Sequence, residues 1–62
     1  MQGFIMIYKT GNKYRGQVNT TNGSDIGNTG DAREGREDVI EECKCIAECE
    51  DVQILSILEY NE

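Results

Sequence analysis

Histidine is absent from this chain, and six lysines and arginines stand against twelve acidic residues. The first absence removes the commonest partner of cysteine at zinc. The second leaves a net charge of -6. It argues against nucleic acid as a partner, because non-specific binding rests on neutralising phosphates. No apolar run approaches the roughly 18 residues of a membrane span, so no membrane is expected. The N-terminus lacks the charged region and small-residue cleavage site of a secretory signal. The three cysteines cannot all pair within one chain. Odd, closely spaced cysteines in an acidic chain point to a reducing cytoplasm.

What is present is short. Sixty-two residues make one domain, and such a chain buries only about 60% of its unfolded surface. Ordering it costs roughly 1.5 kcal/mol per residue, which a small core barely offsets. With no complete disulfide set and no histidine for zinc, a second subunit is the remaining source of stability. A homodimer is expected. The charge is also uneven. Residues 1–30 carry Lys9, Lys13 and Arg15 against Asp25, a net of +2. Residues 31–62 carry eleven acids against Arg33, Arg36 and Lys44, a net of -8.

Two hairpin signals organise the first half. Gly3–Thr10 reads as a strand, Gly11-Asn12 as a two-residue loop, and Lys13–Thr21 as a second strand. Asn22-Gly23 favours a type I′ turn, where both central residues take positive φ. Ser24–Asn28 is then a short third strand. Two-residue loops pair Thr10 with Lys13 and Thr21 with Ser24. Ile5, Ile7, Tyr14, Gly16, Val18 and Gly27 then share one face. Phe4, Met6, Tyr8, Lys13, Arg15, Gln17 and Ile26 share the other. A slip of one residue would exchange faces.

A helix follows. Asp31 with Glu34 three residues on matches a capping box, Asp taking the Ser/Thr place. At 3.6 residues per turn, Ala32, Val39, Ile40, Cys43, Ile46 and Ala47 form an apolar stripe. Glu37, Glu41, Lys44 and Glu48 lie opposite. This predicts about five turns with one face to bury. Gly35 weakens the first turns by up to ~1 kcal/mol. Val52–Tyr60 is a final strand, with Val52, Ile54 and Leu58 on one side and Leu55 and Ile57 on the other. Strands apolar on both sides belong inside a sheet or at an interface. The expected fold is α+β, βββαβ: a three-stranded antiparallel meander, one amphipathic helix, and a last strand parallel to the first, in order 3-2-1-4. One helix covers one face. Phe4, Met6, Tyr8, Arg15 and Ile26, with Leu55 and Ile57 from the last strand, form the candidate dimer or partner face.

Phe4, Tyr8-Lys9, Tyr14-Arg15, Asn22-Gly23 and the run VIEECKCIA together resemble the YegP-like family of small bacterial proteins. The resemblance covers roughly residues 4–50. It implies a small α+β fold and homodimers for single-copy members, and no activity. Gly16 and Gln17 depart from the family, which usually carries an aromatic and a basic residue there. The segment Gly30-Asp31-Ala32-Arg33-Glu34 also differs from the family's Gly-Tyr-Ser-Ser-Lys loop. A βββαβ unit with an acidic helix is similar, more distantly, to small antitoxins of the HicB type.

The remaining constellations are weighed against bland explanations. Cys43, Cys45 and Cys49 point in different directions on a helix. Two thiolates at i,i+4 without histidine are a poor zinc site. The segment Gly27-Asn28-Thr29-Gly30 precedes acids that repel an anion and lacks a P-loop's lysine. Tyr8, Tyr14, Lys9, Lys13 and Arg15 could stack and pair nucleic acid, but three cations are too few. Glu37, Glu41 and Glu48 form a candidate acidic docking face for a basic protein, and equally an ordinary solvated helix face. The expected function is a non-enzymatic, homodimeric interaction module without catalytic, cofactor or metal residues. The alternative is an acidic inhibitor of antitoxin or phage type.

Overall fold

The computed structural model describes every residue, Met1–Glu62. Strands β1 (Gln2–Thr10), β2 (Lys13–Thr20) and β3 (Asp25–Asn28) precede one helix, α1 (Arg36–Cys49), and a last strand, β4 (Gln53–Asn61). They form a single sheet in the order β3-β2-β1-β4. The β1–β2 and β2–β3 pairs are antiparallel and β1–β4 is parallel. This is the expected α+β arrangement.

The first hairpin follows the expected register. Thr10 pairs with Lys13, Ile7 with Gly16 and Ile5 with Val18. The second differs. Thr20 N donates to Ser24 O at 2.9 Å, and Gly23 N to Thr20 O at 3.0 Å. Gly23 has φ 95, while Asn22 lies outside the positive-φ region. The loop is therefore the three residues Thr21-Asn22-Gly23, with glycine in the left-handed place, rather than a type I′ turn. The buried Thr20 hydroxyl stabilises it, donating to Asn22 Oδ1 and accepting from Ser24 N at 3.1 Å.

A β-bulge then absorbs the extra residue. Asn19 pairs with Asp25, but Val18 pairs with Gly27, leaving Ile26 unpaired. Register returns to the expected one at Gly27. Ile26 itself packs against the core, not on the open face where a two-residue loop would put it.

The helix starts later than the Asp31/Glu34 signature suggests. Its N-cap is Gly35 at φ 93, with no side-chain cap. The segment before it is extended because it bonds to the sheet. Tyr14 N donates to Arg33 O at 2.7 Å and Arg33 N to Tyr14 O at 2.8 Å. Two backbone bonds to β2 outcompete a capping box, so the helix has about four turns and Ala32 is not on it. At the other end, Val52 N donates to Ala47 O at 2.8 Å and Asp51 N to Glu48 O at 3.2 Å. Asp51 takes the left-handed conformation at φ 56, in the position glycine usually holds in this helix-ending motif.

The core follows the predicted sheet face and helix stripe, without Ala32 and Leu58. Ile5, Ile7, Val18, Val39, Ile40, Cys43, Ala47 and Val52 form one buried cluster. Glycines let the helix approach. A Cβ on Gly16 would collide with Cys43 Sγ and lie 3.0 Å from Val39 Cγ1, and one on Gly27 would lie 3.1 Å from Ile46 Cγ2. The helix packs chiefly over β2 and β3, which leaves β4 largely beyond its cover. No helix is long and apolar enough to cross a membrane.

Candidate interaction surface

The face away from α1 takes alternate residues of each strand. From β1 come Phe4, Met6 and Tyr8. Their β2 partners are Asn19, Gln17 and Arg15, and their β4 partners are Ser56, Leu58 and Tyr60. The apolar strip therefore runs along β1 and β4, with a polar margin on β2. Arg15 lies over the Tyr8 ring, 4.2 Å from its centroid, and Tyr60 meets Tyr8 edge-on at 6.2 Å. This crowding leaves Phe4, Met6 and Tyr8 half-buried.

The candidate face is thus partly as expected and partly not. Phe4, Met6, Tyr8 and Arg15 stand on it together. Ile26 does not, for the reason given above. Ile57 pairs with Ile5, so its side chain belongs to the helix side. Leu55 is the extra residue of a second bulge, between the Gly3–Ile54 and Phe4–Ser56 pairs. That bulge breaks the alternation along β4. It places Ile54 and Ile57 on one side and Leu58 and Tyr60 on the other. Leu58 and Tyr60 are the members that sequence reading missed, because a bulge changes parity without leaving a composition signal.

Exposure concentrates on β4. Leu55 is 53% exposed, Ile57 40%, Leu58 45% and Tyr60 58%. These side chains flank the open edge of the sheet, since β4 has only β1 as a neighbour. The two acids near this edge are tied inward. Arg36 Nε donates to Glu59 Oε1 at 2.7 Å, and Arg15 lies 3.6 Å from Glu62. The hydrogen bond it donates to Glu59 holds the Arg36 guanidinium above its ordinary pKa. A shallow cleft of about 320 Å³ lies where α1 meets the start of β4, lined by Lys44, Ala47, Glu48, Val52 and Ile54.

Glu37, Glu41 and Glu48 are all exposed on one line of α1. Glu37 lies 3.8 Å from Arg36, while Glu41 and Glu48 have no ion-pair partner. Lys44 lies between them on the same line. Cys43 is buried, and Cys45 and Cys49 are exposed. Burial pushes the Cys43 thiol up to about 11, with Glu42 adding to the shift and Arg33 opposing it. No three His, Cys, Asp or Glu side chains gather at metal-binding distance. Comparison with known protein families, curated proteins and solved structures finds no match to this chain.

Proposed function

We propose that this chain is a non-enzymatic interaction module that acts as a homodimer, a second copy completing its sheet or covering its open face. The observation that carries this is the placement of apolar surface. Phe4, Met6, Tyr8, Leu58 and Tyr60 occupy the side of the sheet that has no helix. A domain with 11 buried residues of 62 gains stability when such a surface is covered. Kinship with the YegP-like proteins is part of the same proposal, supported by the order Phe4, Tyr8-Lys9, Tyr14-Arg15, Asn22-Gly23. Sedimentation equilibrium at micromolar concentration tests the reading. A dimer is expected, and a stable, well-folded monomer overturns it.

The second reading, an acidic inhibitor docking on a basic protein, rests on Glu41 and Glu48, exposed and without ion-pair partners. Reversing Glu37, Glu41 and Glu48 to lysine should abolish salt-sensitive capture of such a partner. Capture that survives the reversal counts against it.

A further inference from the structure

Two of the three cysteines have no part in the core. Cys43 is enclosed there, its sulfur filling the space over Gly16. Cys45 and Cys49 are exposed and form no disulfide. Both lie on α1, four positions apart. Residues at that spacing are neighbours on one helix face, with Cβ atoms about 5–6 Å apart. Helical side chains tilt toward the N-terminus, so Cys49 leans over the turn that carries Cys45.

The end of the helix is fixed although Cys49 is its last residue. Glu50 N donates to Ile46 O at 3.1 Å, Asp51 N to Glu48 O at 3.2 Å and Val52 N to Ala47 O at 2.8 Å. The backbone therefore holds the two thiols at helical spacing, as a preorganised ligand pair requires.

What the pair can hold follows from ligand number and type. Two metal–thiolate bonds of about 2.3 Å laid end to end span about 4.6 Å. Sulfurs on Cβ atoms at the spacing above reach that separation. No third His, Cys, Asp or Glu completes a larger set, and Cys43 faces the core. Zinc, which takes four ligands in structural sites, is poorly served. Soft thiolates favour Cu(I), and Cu(I) accepts two sulfurs in line.

The surroundings contribute less than the sulfurs. The last turn of α1 carries no basic residue, and Lys44 is turned about 100° from Cys45 round the helix. Glu41, one turn before Cys45, and Glu48 are exposed without ion-pair partners. They draw a cation toward the pair and oppose the single negative charge that two thiolates and one Cu(I) leave. Solvent and salt screen both effects, so softness and spacing decide.

We propose that Cys45 and Cys49 form a two-coordinate site for Cu(I) at the outer end of α1. The ion enters by ligand exchange. Two S–H bonds break, two Cu–S bonds form, two protons pass to solvent, and no electron moves. The site goes beyond the interaction-module reading and does not depend on it, since one helix supplies both ligands. Because the pair is open to solvent, thiolates of another molecule can reach the ion, which suits the site to passing Cu(I) on.

Anaerobic titration of the reduced full chain with Cu(I), against a chromophoric Cu(I) chelator, tests this. One Cu(I) per chain is expected, with two sulfur neighbours in its X-ray absorption spectrum and a ratio unchanged by dilution. Cys45→Ser and Cys49→Ser, both at exposed positions, should each weaken binding by at least about a hundredfold, through loss of the second, intramolecular ligand. Cys43→Ala should leave binding unchanged, and excess Zn(II) should not displace the ion. Serine variants that bind like the wild type, binding that needs Cys43, displacement by Zn(II), or one Cu(I) shared between two chains would each overturn the site. A monomer that binds one Cu(I) through Cys45 and Cys49 supports the site while overturning the homodimeric reading.

Discussion

Placing one methyl group beneath the helix tests the packing most directly. Gly16 lies on β2 under α1, where an added Cβ meets Cys43 Sγ inside contact distance, Val39 Cγ1 at 3.0 Å and Ile7 Cδ1 at 3.4 Å. All three neighbours are fully buried, so none can swing into solvent. Overpacking of this kind costs typically 1–3 kcal/mol. A domain of this length has a stability of roughly 3–9 kcal/mol at the usual 0.05–0.15 kcal/mol per residue. A loss of about 2 kcal/mol is therefore a large share, and lowers Tm by roughly 8–16 °C at this size. Urea and thermal melts followed by circular dichroism read it for Gly16→Ala. The cause is then isolated by a cycle. Cys43→Ala alone leaves a small void and should cost about 1 kcal/mol. In the double variant Gly16→Ala/Cys43→Ala, the new methyl occupies the space the sulfur vacates. Its stability should lie near that of Cys43→Ala alone, a coupling of about 2 kcal/mol between contacting sites. The residual approach to Val39 limits the rescue. A Gly16→Ala protein that melts with the wild type, or a double variant whose losses simply add, would refute this packing.

Gly35→Ala separates two positions for the helix start by sign. Inside a helix the change would stabilise by up to ~1 kcal/mol, but at φ 93 it should destabilise by about 1 kcal/mol or more. Urea midpoints decide between them. A thiol reagent at neutral pH should modify two cysteines per native chain, Cys45 and Cys49, and reach Cys43 only on unfolding; three fast thiols would contradict the burial of Cys43. The same burial makes stability pH-dependent. An unfolded thiol ionises near 9.0 and the folded one near 11, so this contribution is whole below about 9 and is lost as pH rises toward 11. Cys43→Ala should flatten that part of the alkaline decline, and an unchanged profile would remove the account.

Much of the fold was legible because its signals are local and repeated. Gly11-Asn12 set the first hairpin, apolar residues on both sides of β1 and β4 put them side by side, and the stripe from Val39 to Ala47 showed which helix face is buried. The departures come from competition between local and distant partners. Asp31 and Glu34 have the spacing of a cap, yet Arg33 finds two backbone bonds on Tyr14, far away in sequence. Asn22-Gly23 signals a turn correctly, but glycine's freedom serves a three-residue loop as well as a two-residue one. The bulges at Ile26 and Leu55 are the costliest to miss, since each inserts one residue into a period-two pattern. They moved Ile26 and Ile57 off the open face and brought Leu58 and Tyr60 onto it.

The pairing of β1 with β4 also orders the assembly of the chain in time. Gln2 meets Gln53 and Lys9 meets Asn61, so the first strand made waits for the last. The β1–β2–β3 meander closes through short loops and can form early, whereas the parallel pair must close a loop of about fifty residues, which is slow. Until then β1 is an edge strand carrying Phe4, Ile5, Met6, Ile7 and Tyr8 with half of its backbone groups unpaired. A nascent or truncated chain that ends before Gln53 holds that edge open indefinitely, and aggregation of such fragments follows from the topology rather than from any defect in the core.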